Sequence, residues 1–138
     1  MNSARVVVDT NILFSLLLRG ESALRKKNLT GSTPTFYCPR YVFVELFKHK
    51  ERIAQATALT EPDLLECLHE LLARVRFVEE GGIPIGTWME AWRLCRDVDP
   101  KDTPFVALAL HLEGSLWTDD AELKAGLRAR GFDQFFET

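Results

Sequence analysis

Cysteine is scarce. Cys38, Cys67 and Cys95 are odd in number and widely spaced, which excludes a disulfide framework and leaves no Cys-x-x-Cys pair for zinc. Long apolar runs are missing too: Ile12 to Leu18 is broken by Ser15 and falls far short of the roughly 20 residues that a bilayer requires. The first residues carry neither a basic n-region nor a small-residue cleavage site, so no secretory signal is expected, and the expected compartment is a reducing cytoplasm. A surplus of positive charge is also absent. Lys and Arg number 17 against 20 Asp and Glu, a formal charge of −3, which is not the footprint of a protein that grips nucleic acid by charge alone. The 3 histidines are scattered, and none pairs convincingly with a serine or cysteine, so nucleophilic catalysis fits poorly.

What remains is an ordinary soluble composition, 46% apolar and 27% charged, without repeats or low-complexity segments. The 138 residues suit a single domain, 1–138, with one core.

That domain is organised around Arg5-Val6-Val7-Val8-Asp9-Thr10-Asn11. Uninterrupted β-branched residues predict a strand buried on both faces, in the middle of a parallel sheet. The strand stops at Asp9, where ligands gather in open α/β sheets.

Helical spacing of Ile12, Leu13, Leu16 and Leu17 predicts a helix closed by Gly20, and a shorter helix carrying Arg25-Lys26-Lys27 fills the chain to Gly31. Phe36 to Cys38 reads as a strand ended by Pro39, followed by a helix from Arg40 to about Ala54. Thr60-Glu61-Pro62-Asp63 starts a packing helix with Leu64, Leu65, Leu68, Leu71, Leu72 and Val75 on one face. Arg76 to Glu79 is read as a short edge strand and Gly81 to Pro84 as a loop. Thr87 is expected to cap a helix bearing Trp88, Ala91, Trp92 and Cys95, the tryptophans serving a core or a dimer contact. After the acidic loop Asp97 to Asp102 come a helix from Phe105 to Glu113, a buried strand Ser115 to Thr118, a helix from Ala121 to Arg130 and a last strand near Phe135-Phe136. Strands alternating with helices define an α/β, three-layer fold, with a mainly parallel sheet of about five strands between helices on both faces.

Carboxylates recur at the strand ends and helix starts of this order. Asp9, Asp102 and Asp120 each stand where a side-chain oxygen caps free backbone N–H groups, a purely structural use. Glu45 lies one turn after Tyr41 among apolar residues, where it either bends out to solvent or finds a partner. Taken together, however, acids converging on one sheet end repel one another, and a hard divalent cation relieves that repulsion. Oxygen ligands without His or Cys select Mg²⁺ or Mn²⁺, ions that serve phosphodiester hydrolysis.

The chain resembles the PIN-domain nucleases. The resemblance rests on Val-Val-Val-Asp9-Thr10-Asn11-Ile-Leu, on Glu45, on Asp99-Pro-Lys-Asp102-Thr-Pro-Phe-Val-Ala-Leu-Ala-Leu and on Leu-Trp-Thr118-Asp-Asp120-Ala-Glu-Leu, in order and over nearly the whole length. Within the family it is most similar to small prokaryotic toxins of toxin–antitoxin pairs. The resemblance implies an Mg²⁺- or Mn²⁺-dependent ribonuclease, with Asp9, Glu45 and Asp102 as core metal-site acids and Asp120 as the fourth. It further implies Thr118 as a supporting hydroxyl, Asn11 as an orienter of Asp9, RNA as substrate, an antitoxin as partner and the homodimer common among such toxins. Asp119 competes with Asp120 for the fourth place, and Asp99 joins through water or stays a solvated loop acid. Lys48-His49-Lys50-Glu51-Arg52 either guides phosphates or is a solvated helix end, and Arg25-Lys26-Lys27 carries the same two readings. Two rivals stand beside the nuclease. One is an Asp-dependent phosphatase, which needs a second aspartate where Asn11 stands; the other is a non-catalytic binding module whose acids only cap helices.

Overall fold

In the computed structural model, Val6, Val7 and Val8 are all fully buried, so both faces of their strand are covered. The structure describes residues 4–19, 34–56 and 60–137. The chain runs β1 (Arg5–Val8), α1 (Thr10–Arg19), β2 (Thr35–Pro39), α2 (Val42–Lys48), α3 (Lys50–Ala56), α4 (Glu61–Arg74) and β3 (Val75–Val78). A 3-10 turn at Glu80–Gly82 leads to α5 (Ile85–Cys95), and a second at Pro100–Asp102 leads to α6 (Thr103–Leu112), β4 (Ser115–Trp117) and α7 (Ala121–Ala129).

Among the described residues the four strands are all parallel, in the order β3-β2-β1-β4. Val6 faces Phe36 of β2 on one side and Ser115 of β4 on the other. The chain builds outward from β1 to β2 and β3, then returns to the opposite edge of β1 as β4. That reversal is a topological switch point, and it opens a crevice beyond the carboxyl ends of β1 and β4. Helix α1 packs with α2, α3 and α4, while α6 packs on β1, β2, β4 and α5. Residues Phe105 to Ala109 of α6 are buried all round, which fits a helix enclosed between sheet and α5. No helix among the described residues is long and apolar enough to cross a membrane.

Several expectations are corrected. Among the described residues the sheet has four strands rather than about five, because Phe135 makes only an isolated bridge to Leu116. Two backbone hydrogen bonds with Leu116, from its N–H to the Gln134 carbonyl and from the Phe136 N–H to its carbonyl, hold this segment together with ring contacts of Phe136 to Phe36 and Trp117. The helix expected from Arg40 to Ala54 is two helices, because the backbone at His49 leaves helical geometry at φ −112 and ψ 13. The next helix starts at Ile85 on an extended Pro84, whose fixed φ starts a helix without a hydroxyl, so Thr87 is not its cap. Trp88 packs on the core, whereas Trp92 is exposed beside Ile85 and Met89. In α4 only Leu71 is fully buried; Leu64 and Leu68 are partly so, Leu65 is exposed, and Val75 already belongs to β3. The short helix between Gly20 and Gly31, with Arg25-Lys26-Lys27, lies outside the described residues.

Helix α6 ends at Leu112, with Glu113 after it in the left-handed region at φ 53. Gly114 is required for a different reason. A Cβ at this position would sit 2.6 Å from the Arg5 carbonyl oxygen, so the turn passes against the backbone of β1 itself. Gly114→Ala is therefore expected to cost about 1–3 kcal/mol by displacing the backbone that carries Asp9, read as a lower urea midpoint at unchanged slope.

Candidate active site

Asp9 follows directly on β1 and is held from two sides. Its Oδ1 accepts the Ile12 N–H at 2.9 Å, and the Thr118 hydroxyl, itself buried, hydrogen-bonds its carboxylate. Thr118 Oγ1 also accepts the Asp120 N–H at 3.2 Å, so one hydroxyl ties the end of β4 to the end of β1. Burial pushes the Asp9 pKa up, the two hydrogen bonds oppose that rise, and the charges of Asp119 and Asp120 add to it.

Asp102 closes the 3-10 turn before α6. Unlike Asp9 and Asp120, it makes no capping hydrogen bond, and the capping explanation fails for it. Its pKa is pushed up to about 7, first by desolvation and then by the charges of Asp99, Asp9 and Asp120; its carboxyl also hydrogen-bonds that of Asp99. Asp99 in turn accepts the Lys101 N–H at 3.1 Å, which pins the turn between them.

Glu45 neither bends to solvent nor stands alone. The Tyr41 hydroxyl hydrogen-bonds its carboxylate, which raises the phenol pKa, and His49 Nε2 lies 3.8 Å from its Oε2 one turn further along. The break at His49 turns the imidazole edge-on to Phe14, with ring centroids 5.6 Å apart.

These acids share one cleft of about 170 Å³, lined by Asp9, Asn11, Glu45, Asp99, Asp102 and Asp120, and also by Thr10, Phe14, His49, Lys101 and Phe105. Asp119 is exposed and does not line it; Thr118 stands behind Asp9. A larger cavity, about 370 Å³, is an apolar groove among α1 to α4 with Lys50 as its one charged residue, and it offers no comparable chemistry. His49 and Lys101 were not separable from a solvated surface by sequence. The spacing of Lys101 inside the Asp99 to Asp102 turn was the available signal for one of them, and nothing marked the helix break that brings in the other.

The cleft fits a hard cation by chemistry. Its acids offer oxygen donors beside the His49 imidazole, the Asp9 and Asp102 carboxyls are pushed up first by burial and further by neighbouring carboxylates, and the Thr10 Oγ1 at its wall is buried without a hydrogen-bond partner. As they stand, no three His, Cys, Asp or Glu among the described residues are set closely enough to hold an ion between them. Cys38 and Cys95 are no nucleophiles, because burial drives both thiols to about 12.

A sequence model of the PIN domain matches residues 7–135. The structure is similar to that of VapBC2 from Rickettsia felis, solved bound to a DNA fragment from its promoter: TM-score 0.65, 14% identity, 88% of this chain and 92% of that one covered. It is similar also to PAE2754 from Pyrobaculum aerophilum, with TM-score 0.63, 16% identity and coverage of 89% and 84%. At these identities the likeness concerns the fold. A search of curated proteins returns no match.

Proposed function

This chain belongs to the PIN-domain family, whose members are generally nucleases, and from that membership and its cleft we propose a metal-dependent endoribonuclease that hydrolyses RNA phosphodiester bonds. The observation that carries the proposal is Asp102: half-buried, uncapped, facing Asp9, Asp99 and Asp120, with its pKa pushed up to about 7. A carboxylate used only to end a turn does not have to bear that repulsion, and a cation removes it. Mg²⁺ or Mn²⁺ held by Asp9, Glu45, Asp102 and Asp120 would supply polarisation of the scissile phosphate and a water acidic enough to attack it.

The chain's own groups have distinct parts in this reading. Thr118 and the Ile12 N–H fix the rotamer of Asp9 at the cleft floor. Tyr41 holds Glu45 toward the cleft, and Asn11 and Asp99 border the acids they support. Because the acids line walls instead of meeting at a point, a cation would be held only once Asp102 had released its proton and the side chains had drawn inward. The phosphatase reading is disfavoured, because Asn11 stands where its second acid is needed.

An antitoxin is the proposed protein partner and a homodimer the proposed assembly. The likeness to VapBC2, solved on promoter DNA, supports the first, and the toxin-like sequence pattern supports both. The test of the proposal is cleavage of a fluorescent single-stranded RNA. Turnover that requires Mn²⁺ or Mg²⁺ and stops with EDTA is expected; RNA cleavage that survives EDTA would contradict the mechanism.

A further inference from the structure

We infer that Lys101 is a phosphate-contacting residue of the acidic cleft, its ammonium taking a backbone phosphate of the RNA strand beside the bond that is cut. The inference rests on the ribonuclease reading and extends it to how a polyanion enters a negative site.

The cleft presents five carboxylates, those of Asp9, Glu45, Asp99, Asp102 and Asp120, so RNA meets repulsion there that one divalent ion only partly offsets. Lys101 is the one described Lys or Arg on its wall. Elsewhere the described cations lie off the cleft wall, Lys48, Arg52 and Arg76 among them, and most of the others are engaged. Arg40, Arg74, Arg93, Arg96, Lys124, Arg128 and Arg130 pair with carboxylates, Arg5 donates to the Leu112 carbonyl, and Lys50 lies over the Phe47 ring at the apolar groove.

Lys101 differs from all of these. It borders Asp99 and Asp102 in sequence and shares their cleft, yet among the described residues it forms no ion pair within 4.0 Å. A lysine serving as countercharge to the acids would close on one of them. Its backbone is meanwhile fixed, with the N–H bonded to Asp99 at 3.1 Å in the Pro100–Asp102 turn, so an exposed flexible arm springs from a rigid base at the cleft wall. An ammonium on such a stem is a mobile point charge, suited to phosphate without base selectivity.

The test compares wild type, Lys101→Met and Lys101→Arg. Binding of a labelled single-stranded RNA is followed by anisotropy across a salt series, with Ca²⁺ present to hold the acids while slowing turnover; Mn²⁺ affinity is read by calorimetry and KM and kcat by cleavage. Lys101→Met is expected to weaken RNA binding about 5-fold at 0.1 M salt and to reduce the slope of log K against log salt by about 0.7. KM should rise more than kcat falls, Lys101→Arg should restore the slope, and Mn²⁺ affinity should not change. An unchanged slope overturns the inference. So does tighter Mn²⁺ binding with unaltered RNA binding, which would make Lys101 a countercharge to the acids. Wild type that binds RNA with a Lys101-dependent slope but cuts nothing sinks the nuclease reading and leaves the contact standing, whereas wild type that neither binds nor cuts removes both.

Discussion

Asp9→Asn is expected to lower RNA cleavage by about 10³-fold or more while leaving the protein folded, with a melting temperature equal to or above that of wild type at pH 8. The two halves of this result have separate causes. Asparagine caps about as well as aspartate, so its side-chain oxygen keeps the Ile12 N–H bond that starts α1. Removing the charge also removes a carboxylate that burial and the charges of Asp119 and Asp120 disfavour. Stability is therefore not sacrificed. A cation held by the cleft would, however, lose the acid fixed at the end of β1, and the phosphate polarisation it would supply should go with it. The same substitution with activity and stability both retained would identify Asp9 as a structural cap only. Asp119→Asn is the matched control: that side chain is exposed and outside the cleft walls, and most activity is expected to remain.

The second large effect is a reversal of pH dependence by metal. In the metal-free protein Asp102 titrates at about 7, above its ordinary value, so the folded chain holds a proton that the unfolded chain has already released. The stabilisation is complete below the unfolded pKa and disappears as pH rises through about 7. Metal-free protein is thus expected to melt at a lower temperature at pH 8 than at pH 5. The displacement of Asp102 alone sets a ceiling of about 3 kcal/mol between those pH values. Solvent in the open cleft and the proton shared with Asp99 reduce it to about 1–2 kcal/mol, or about 3–8 °C. Mg²⁺ or Mn²⁺ should raise the melting temperature at pH 8 and much less at pH 5, where protons compete for the same oxygens. Melting curves at the two pH values, with and without 5 mM MnCl₂ as a roughly saturating choice, decide it. A metal-free protein that is more stable at pH 8 would show that the acids do not repel as described.

Much of this was legible in the sequence because the physics was local. Val6-Val7-Val8 leaves no polar face, so β1 had to be central, and the acid that follows it had to stand at the sheet's carboxyl end. The pairing of Asp9 with Asp102 and Asp120 followed from element order. Other features depended on contacts that periodicity does not carry. The helical pattern continues through His49 without a proline or glycine, and the break there brings the imidazole against Phe14 and Glu45, contacts that periodicity does not show. Phe135 carried strand propensity, yet its pairing stops at a single bridge to Leu116, with ring contacts around it. For Asp102, position alone predicted a cap; only three-dimensional placement beside Asp99 shows that its oxygens are spent on another carboxyl. Lys101 sat in plain view inside the motif, but that it has no acidic partner among the described residues is visible only once the cleft is assembled.

The central claim, that these carboxylates form a cation site, is tested most directly by calorimetric titration of Mn²⁺ into wild-type protein near pH 6.5 in two buffers of different ionisation enthalpy. Saturable binding with release of protons into the buffer is the predicted result, since Asp102 must give up its proton for the ion to enter. Absence of binding at millimolar Mn²⁺, or binding that releases no proton, would contradict the account.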